Sequence, residues 1–290
     1  MTKYAYYPGC SLETSAKDYD ASVRSVFAKL GLELTEIEDW SCCGSSPTHK
    51  LDKDLASLVA GRNLALAQGS GQIVAPCASC SSNLKQASIE LDKSEALRQA
   101  LALANYNYEP GSVRVVSAVE AVYRALKDGL FDGKVKTPLT GLKVASYYGC
   151  LLVRPTQVAD FDDPEDPTSM DEIASFLGAT PVGFSHKTEC CGNSYILVDK
   201  DMAQHLVANI LNAAIDAGAD VIATACPLCQ QNLALRQGQL KKDYGLKREI
   251  AVVYFTQLMG MGVGINASEL GLEDSVVELI GKRREKQRND

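Results

Sequence analysis

Ten cysteines in 290 residues fall into two sets of five, and none lies outside them. Cys10, Cys42, Cys43, Cys77 and Cys80 form C-x31-C-C-x33-C-x2-C; Cys150, Cys190, Cys191, Cys226 and Cys229 form C-x39-C-C-x34-C-x2-C. In both sets a glycine follows the adjacent pair, at Gly44 and Gly192. Soft thiolates suit zinc and iron–sulfur clusters. A thioredoxin-like redox pair uses one C-x2-C at a helix start and leaves most of these cysteines idle. A structural zinc site takes four cysteines, usually as two C-x2-C knuckles, and leaves one of each five unused. Neighbouring side chains on an extended backbone also diverge, so an adjacent pair fits one tetrahedral ion badly. Several irons linked by sulfides spread their ligand positions over a wider body, and adjacent thiolates can then bind different irons. Gly44 and Gly192 would let the backbone approach such a cluster, with N–H groups available to its sulfurs. Five cysteines exceed the usual four per cluster, which suggests an unusual one.

The rest of the composition narrows the setting. "MTKYAYYPGC" lacks the charged start and apolar run of a signal peptide, and no stretch approaches the roughly 20 apolar residues that span a bilayer. The expectation is a cytoplasmic chain with no membrane span, in a reducing compartment where cysteines serve as metal ligands or redox groups rather than structural disulfides. A net charge of -7 gives no basic field to draw a polyphosphate, so no nucleic-acid partner is expected. The basic tail "GKRREKQRND" reads as a solvated C-terminal end. With 46% hydrophobic and 22% charged residues the chain reads as globular.

The elements that position the cysteines repeat with them. "KYAYYPGC" answers "KVASYYGC" 140 residues later, and Asn83-Leu84 after the first C-x2-C answers Asn232-Leu233 after the second. The offset grows to 148 at the adjacent pairs, and "RPTQVADFDDPEDPTS", rich in Pro and Asp, reads as the inserted loop responsible. Each half carries a β-α-β-α-β-α pattern: "YAYYPG", "ASVRSVFAKLG", "LELTEIEDW", "DLASLVAGRNLALAQG", "QIVAPC", then "SSNLKQASIEL" as a helix opened by a Ser cap. "DMAQHLVANILNAAIDAG", "DVIATAC" and "PLCQQNLALRQ" play these parts in the second half. The pattern predicts an α/β fold of two pseudo-symmetric, Rossmann-like halves with parallel sheets, related by internal duplication and divided as residues 1–130 and 131–290. Residues from about 86 to 140, including "VSAVEAVYRALKDG" and then "LFDGKVKTPLTG", read as the connection between them. In such sheets ligands gather at the carboxyl ends of the strands, where Cys10, Cys77, Cys150 and Cys226 fall. A G-x-G-x-x-G fingerprint appears in neither half, so no flavin or NAD is expected on this chain.

All ten cysteines, both glycines and the spacing resemble the cysteine-rich CCG domain, and a chain of two such domains is similar to the B subunit of heterodisulfide reductase. The resemblance implies that each set of five cysteines holds a noncubane [4Fe-4S] cluster, with one cysteine bridging irons. It implies an oxidoreductase acting on sulfur groups, which reduces the coenzyme M–coenzyme B heterodisulfide of methanogenesis, or a related disulfide, to two thiols. A ferredoxin-like iron–sulfur C subunit, together with a flavin-bearing A subunit, would supply the electrons in a flavin-based electron-bifurcating complex. Methanogen members often carry Pro where this chain has Gly44. CCG domains also occur in electron-transfer subunits of flavin-dependent hydroxy-acid and glycerol-3-phosphate oxidising complexes, which is the alternative reading. Those chains commonly carry a ferredoxin-like C-x2-C-x2-C-x3-C-P segment, absent here.

Disulfide cleavage needs protons, and His49, six residues after Cys43, and His186, four before Cys190, are the candidate donors. A surface or hydrogen-bonding role is the other reading of each. Tyr6, Tyr7, Tyr147 and Tyr148 precede the first cysteine of each set, where they pack a strand end or touch a cluster or substrate. Arg154 and Lys187 could meet an anionic substrate or be ordinary surface charges, and Trp40 could shield a cluster or fill the core.

Overall fold

The computed structural model describes residues 2–45 and 48–289, with the side chains of 49, 50, 283, 284 and 286–289 left undescribed. The first half runs β1 (Lys3–Tyr6), α1 (Gly9–Glu13), α2 (Lys17–Leu30), β2 (Glu33–Glu36), α3 (Thr48–Leu51), α4 (Lys53–Leu66), β3 (Gly71–Ala75), α5 (Ala78–Lys93), α6 (Glu95–Leu103), β4 (Val113–Ser117) and α7 (Ala118–Lys127). The second runs β5 (Lys143–Tyr147), α8 (Ser169–Phe176), β6 (Thr180–Pro181), a 3-10 turn at Asn193–Tyr195, α9 (Lys200–Asp216), β7 (Val221–Thr224), α10 (Pro227–Ala234), α11 (Gln237–Asp243), β8 (Ala251–Tyr254), α12 (Phe255–Gly262) and α13 (Asp274–Asn289).

The two sheets are parallel throughout and share one topology, β2-β1-β3-β4 and β6-β5-β7-β8. The duplicated α/β architecture expected from the repeats is therefore present. Burial explains the strand sequences. Ile73, Val74 and Ala75 of β3 and all of β7 are buried between helix layers, so these central strands read as unbroken apolar runs. At the edges the demand relaxes: β2 exposes its last two residues, and β6 is two residues long and ends on Pro181.

Two local readings are corrected. The segment read as a connection contains the fourth strand of the first sheet, and Ser117, the last residue of β4, caps α7 by accepting from Glu120 N at 3.0 Å. A single serine, Ser117, separates the apolar run of the strand from that of the helix, which hides the boundary from periodicity. The helix after the first C-x2-C starts earlier than its serines suggest: Cys77 is its N-cap.

In both sheets the strand order reverses between the two middle strands, β1/β3 and β5/β7, the place where α/β sheets bind ligands. The halves also interlock. α2 of the first packs on α12 of the second, and α8 of the second on α7 of the first. The insertion between Cys150 and α8 is pinned rather than loose. Asp162 caps the start of α8 through Ser169 N at 2.9 Å, and Asp160 pairs with Lys85 of the first half at 3.3 Å.

Candidate metal centre

Four strands deliver the cysteines to one seam. Cys10 follows β1, Cys150 follows β5, and Cys77 and Cys226 follow β3 and β7 as the N-caps of α5 and α10. The C-x2-C spacing places Cys80 and Cys229 in the first turns of the same helices. All ten are free thiols. In the first set Cys42 Sγ lies 4.0 Å from Cys10 Sγ, and Cys43 Sγ lies 3.5 Å from Cys80 Sγ. In the second, Cys190 raises the Cys150 thiol, and Cys191 and Cys226 raise that of Cys229, so these thiols stand as neighbours. Between the sets, Cys77 and Cys226 are neighbours that shift one another in opposite directions, Cys77 up and Cys226 down. The result is a row of mutually influencing thiols, Cys43–Cys80–Cys77–Cys226–Cys229–Cys191, whose middle pair, Cys77 and Cys226, holds equivalent places in the two sets.

Pinning of the adjacent-cysteine loops is the same in both halves. Tyr7 Oη donates to Ser41 O at 2.7 Å, and Tyr147 Oη donates to Glu189 O at 2.6 Å, the residue before the pair in each case. Asn83 Nδ2 donates to Cys43 O at 2.5 Å, and Asn232 Nδ2 to Cys191 O at 2.6 Å. Each pair is thus held from both sides by groups that came with the duplication. Gly44 and Gly192 adopt left-handed φ of 75° and 76°, but an added Cβ there would meet Thr48 and Val59, or Ala203 and Leu206, rather than a sulfur. Their role is the turn, and Gly192 N also donates to Cys190 Sγ at 3.3 Å. Gly9 and Gly149 also come close to cysteine sulfurs. A Cβ at Gly9 would lie 3.0 Å from Cys80 Sγ, and one at Gly149 3.2 Å from Cys229 Sγ. The signal was present in the aligned "PGC" and "YGC".

Shared protons polarise the thiols. Donation by Cys42 and Cys80 holds Cys43 down to about 3, and donation by Cys150 holds Cys190 down to about 6. Donation from Cys229 and Cys77, aided by first-turn N–H groups of α10, keeps Cys226 well below the ordinary thiol range, while Cys80 and Cys229 are pushed up. Burial raises Tyr7, Tyr147 and Tyr19 far above the ordinary phenol value, with neighbouring thiols adding to the effect. The groups that chiefly shift the cysteines are other thiols, backbone N–H groups and Asn83, not a cationic side chain. Fully deprotonated, the six buried thiolates, three in each set, would require positive charge from outside the side chains. Among the described residues no three His, Cys, Asp or Glu groups close around a point for one ion. The donors fit a body of several irons and sulfides better than a single ion.

A cavity of about 250 Å3 opens at the seam. Cys150, Cys190, Cys191, Cys226 and Cys229 all line it, with Tyr148, Leu151 and Leu228, and across from them stand Ser45, Ala78, Ser79 and Asn83 of the first half. His186 is not among the lining residues; its Nδ1 lies 2.8 Å from Ser185 Oγ on the surface. The side chain of His49 lies outside the described residues. Arg154 and Lys187 are committed to the insertion: Arg154 donates to Pro164 O and Thr188 Oγ1, and buried Lys187 pairs with Asp166 and Asp171 at 2.6 and 3.4 Å. Tyr6 donates to Asp20, and Tyr148 accepts from Met170 N. Trp40 stands edge-on to Tyr7, 5.4 Å away between ring centres.

The cysteine-rich CCG domain family matches residues 4–85 and again 144–234. The chain belongs to that family, in two copies. It is 35% identical to the 8-methylmenaquinol:fumarate reductase membrane anchor subunit of Wolinella succinogenes over 95% of this chain and 97% of that one. It is 28% identical to the B subunit of the ferredoxin/F(420)H(2)-dependent CoB-CoM heterodisulfide reductase of Methanosarcina acetivorans over 97% of this chain and 95% of that one. This CCG chain thus has full-length relatives in two kinds of oxidoreductase complex, and the resemblance to the B subunit of heterodisulfide reductase holds along almost its whole length. A crystal structure of a hypothetical protein from Helicobacter pylori superposes with a TM-score of 0.73 at 14% identity, over 94% of this chain and 51% of that one. The chain spans about half the length of that protein, and the likeness speaks for the fold alone. Among the described residues no helix is long and apolar enough to cross a membrane.

Proposed function

We propose that this chain is the catalytic iron–sulfur subunit of a heterodisulfide reductase-type complex, reducing a disulfide to two thiols at two noncubane [4Fe-4S] clusters. Cys10, Cys42, Cys43, Cys77 and Cys80 would hold one, and Cys150, Cys190, Cys191, Cys226 and Cys229 the other. The observation that carries the reading is the cavity at the seam, lined by all five cysteines of the second set and, from the first half, by Ser45, Ala78, Ser79 and Asn83 beside Cys77 and Cys80. Bound clusters would supply the two electrons that cleavage of a sulfur–sulfur bond requires. The chain's residues supply the geometry. Tyr7, Tyr147, Asn83 and Asn232 fix the loops that carry the adjacent cysteines, and Leu151, Leu228 and Ala78 give the cavity apolar wall.

Two protons must accompany the electrons. His186→Gln tests the candidate whose side chain is described: lost turnover assigns it a proton, and full turnover leaves delivery to His49 or to water. The proposed partners are a ferredoxin-like iron–sulfur protein and a flavoprotein, the C and A components of the same complex. The reaction is placed in the cytoplasm, with the CoM–CoB heterodisulfide or a related disulfide as substrate.

A second reading is favoured by the 35% identity to the fumarate reductase subunit. In it the same two centres carry electrons for a partner that holds the substrate site. Anaerobic purification with metal and sulfide analysis comes first, because zinc without iron and sulfide would sink both readings. The protein is then titrated with candidate disulfides while its EPR spectrum is followed. A new disulfide-dependent signal supports the first reading. An unchanged spectrum, together with a co-purified partner that reduces fumarate, supports the second.

A further inference from the structure

Tyr19 reaches out of α2 to the midline of the molecule. Its Oη lies 3.3 Å from Pro76 O and 3.1 Å from Ala225 O. These two residues are equivalent under the duplication, and each immediately precedes the cysteine, Cys77 or Cys226, at the middle of the sulfur line. One hydroxyl hydrogen therefore serves two acceptors in a three-centre bond. The ring is fully buried and stacks on Tyr254 at 4.0 Å with an interplanar angle of 4°. One turn along α2, Ser22 Oγ contacts Thr256 Oγ1 at 2.7 Å, and just before the ring Asp18 accepts from Gln257 Nε2 at 3.3 Å, so the helix is tied to the second half on both sides of Tyr19.

We infer that Tyr19 is a positioning residue that fixes the spacing of Cys77 and Cys226, and through it the redox communication between the two cysteine sets. The inference rests on the proposed clusters. Pro76 and Ala225 end the approach of β3 and β7 to the seam, so a hydroxyl held between their carbonyls ties the two strand ends to one point. Separation of the ends stretches one of the two bonds, and closer approach brings two carbonyl oxygens against each other. Residues behind metal ligands orient them in this way without touching the metal.

Tyr19→Phe keeps the volume and the stack and removes only the shared hydroxyl; Tyr254→Phe keeps the stack and both carbonyl contacts. Wild type and the two variants are purified anaerobically, assayed for iron and sulfide, reduced fully and compared by EPR and stepwise redox titration. In wild type two interacting centres are expected. In Y19F, with the circular dichroism spectrum retained, the splitting from their interaction should fall by roughly half or more and the separation of the two reduction steps should change. Y254F should match wild type. Loss of iron from folded Y19F, with Y254F replete, supports the inference equally, since the hydroxyl is the only difference at the seam. An iron-replete Y19F with unchanged splitting and unchanged steps overturns the inference and leaves the functional reading standing. A wild-type protein without iron overturns both.

Discussion

A Cβ at Gly149 would meet two obstacles: its φ of +66° and the Cys229 sulfur 3.2 Å away. The backbone term alone costs an alanine about 1 to 2 kcal/mol, and the clash falls on a buried group held in the sulfur line. Gly149→Ala should therefore yield a folded protein with roughly half the iron and sulfide of wild type, because only the second site is disturbed. Gly9→Ala should do the same to the first site, with its Cβ at 3.0 Å from Cys80 Sγ. Equal iron in wild type and both variants would show that the glycines serve the turn alone. At this scale the sequence reveals which atoms are candidates and conceals which ones touch. Ten cysteines in two matching sets are plain from spacing. That a Cβ on the glycine ahead of each first cysteine would meet a sulfur depends on how β1 and β5 aim at α5 and α10. Arg154 and Lys187 escape the sequence for the same reason, since their partners lie in an insertion whose path no periodicity describes.

The adjacent-cysteine loops have little regular structure, so their shape depends on what the neighbouring elements donate. α5 and α10 each send one asparagine to the carbonyl of the second cysteine. Asn232→Ala would leave Cys191 O without that donor, at a cost of about 1 to 3 kcal/mol, and should speed loss of iron from the second site more than from the first. Chemical denaturation of the iron-replete protein gives the first number, and chelator-driven iron release gives the second. The same loss from both sites would show that Asn232 stabilises the whole chain rather than its own loop. The echo of Asn83-Leu84 in Asn232-Leu233 is visible in the sequence, yet its purpose is not, because the acceptors lie about 40 residues upstream. The outer strands are harder still. β4 merges into α7 at Ser117, and β6 has two residues, too few to show any period.

Across the whole molecule, the two halves share their interior. Glu120 is fully buried and is met by Lys85 at 3.1 Å, Arg124 at 2.7 Å and Arg114 at 3.3 Å, while Lys85 also reaches Asp160 across the seam. Lys85→Met leaves Glu120 its two arginines and removes the cation that also reaches Asp160 of the second half. The expected loss is about 1 to 2 kcal/mol of unfolding free energy, below that for a buried charge left wholly unpaired. Thermal unfolding at matched ionic strength measures it.

The interlocked helices make a stronger demand. A fragment of residues 1–130 contains one complete sheet and one complete set of cysteines, and the internal repeat alone would suggest that it folds. In the intact chain, however, α2 is covered by α12, Tyr19 is roofed by Tyr254, and α7 is covered by α8. Removal of the second half would bare the apolar face of two helices and open the Cys77 end of the sulfur line to solvent. The fragment should therefore be poorly soluble or molten, with weak near-ultraviolet circular dichroism and no retained iron. Co-expression with residues 131–290 should restore a one-to-one complex that takes up iron at both sites, because each half supplies the cover the other lacks. A fragment that folds alone and binds iron would instead make each half a self-sufficient domain. The seam would then be a junction of two finished units, and the line of six sulfurs a consequence of packing rather than a requirement of the fold.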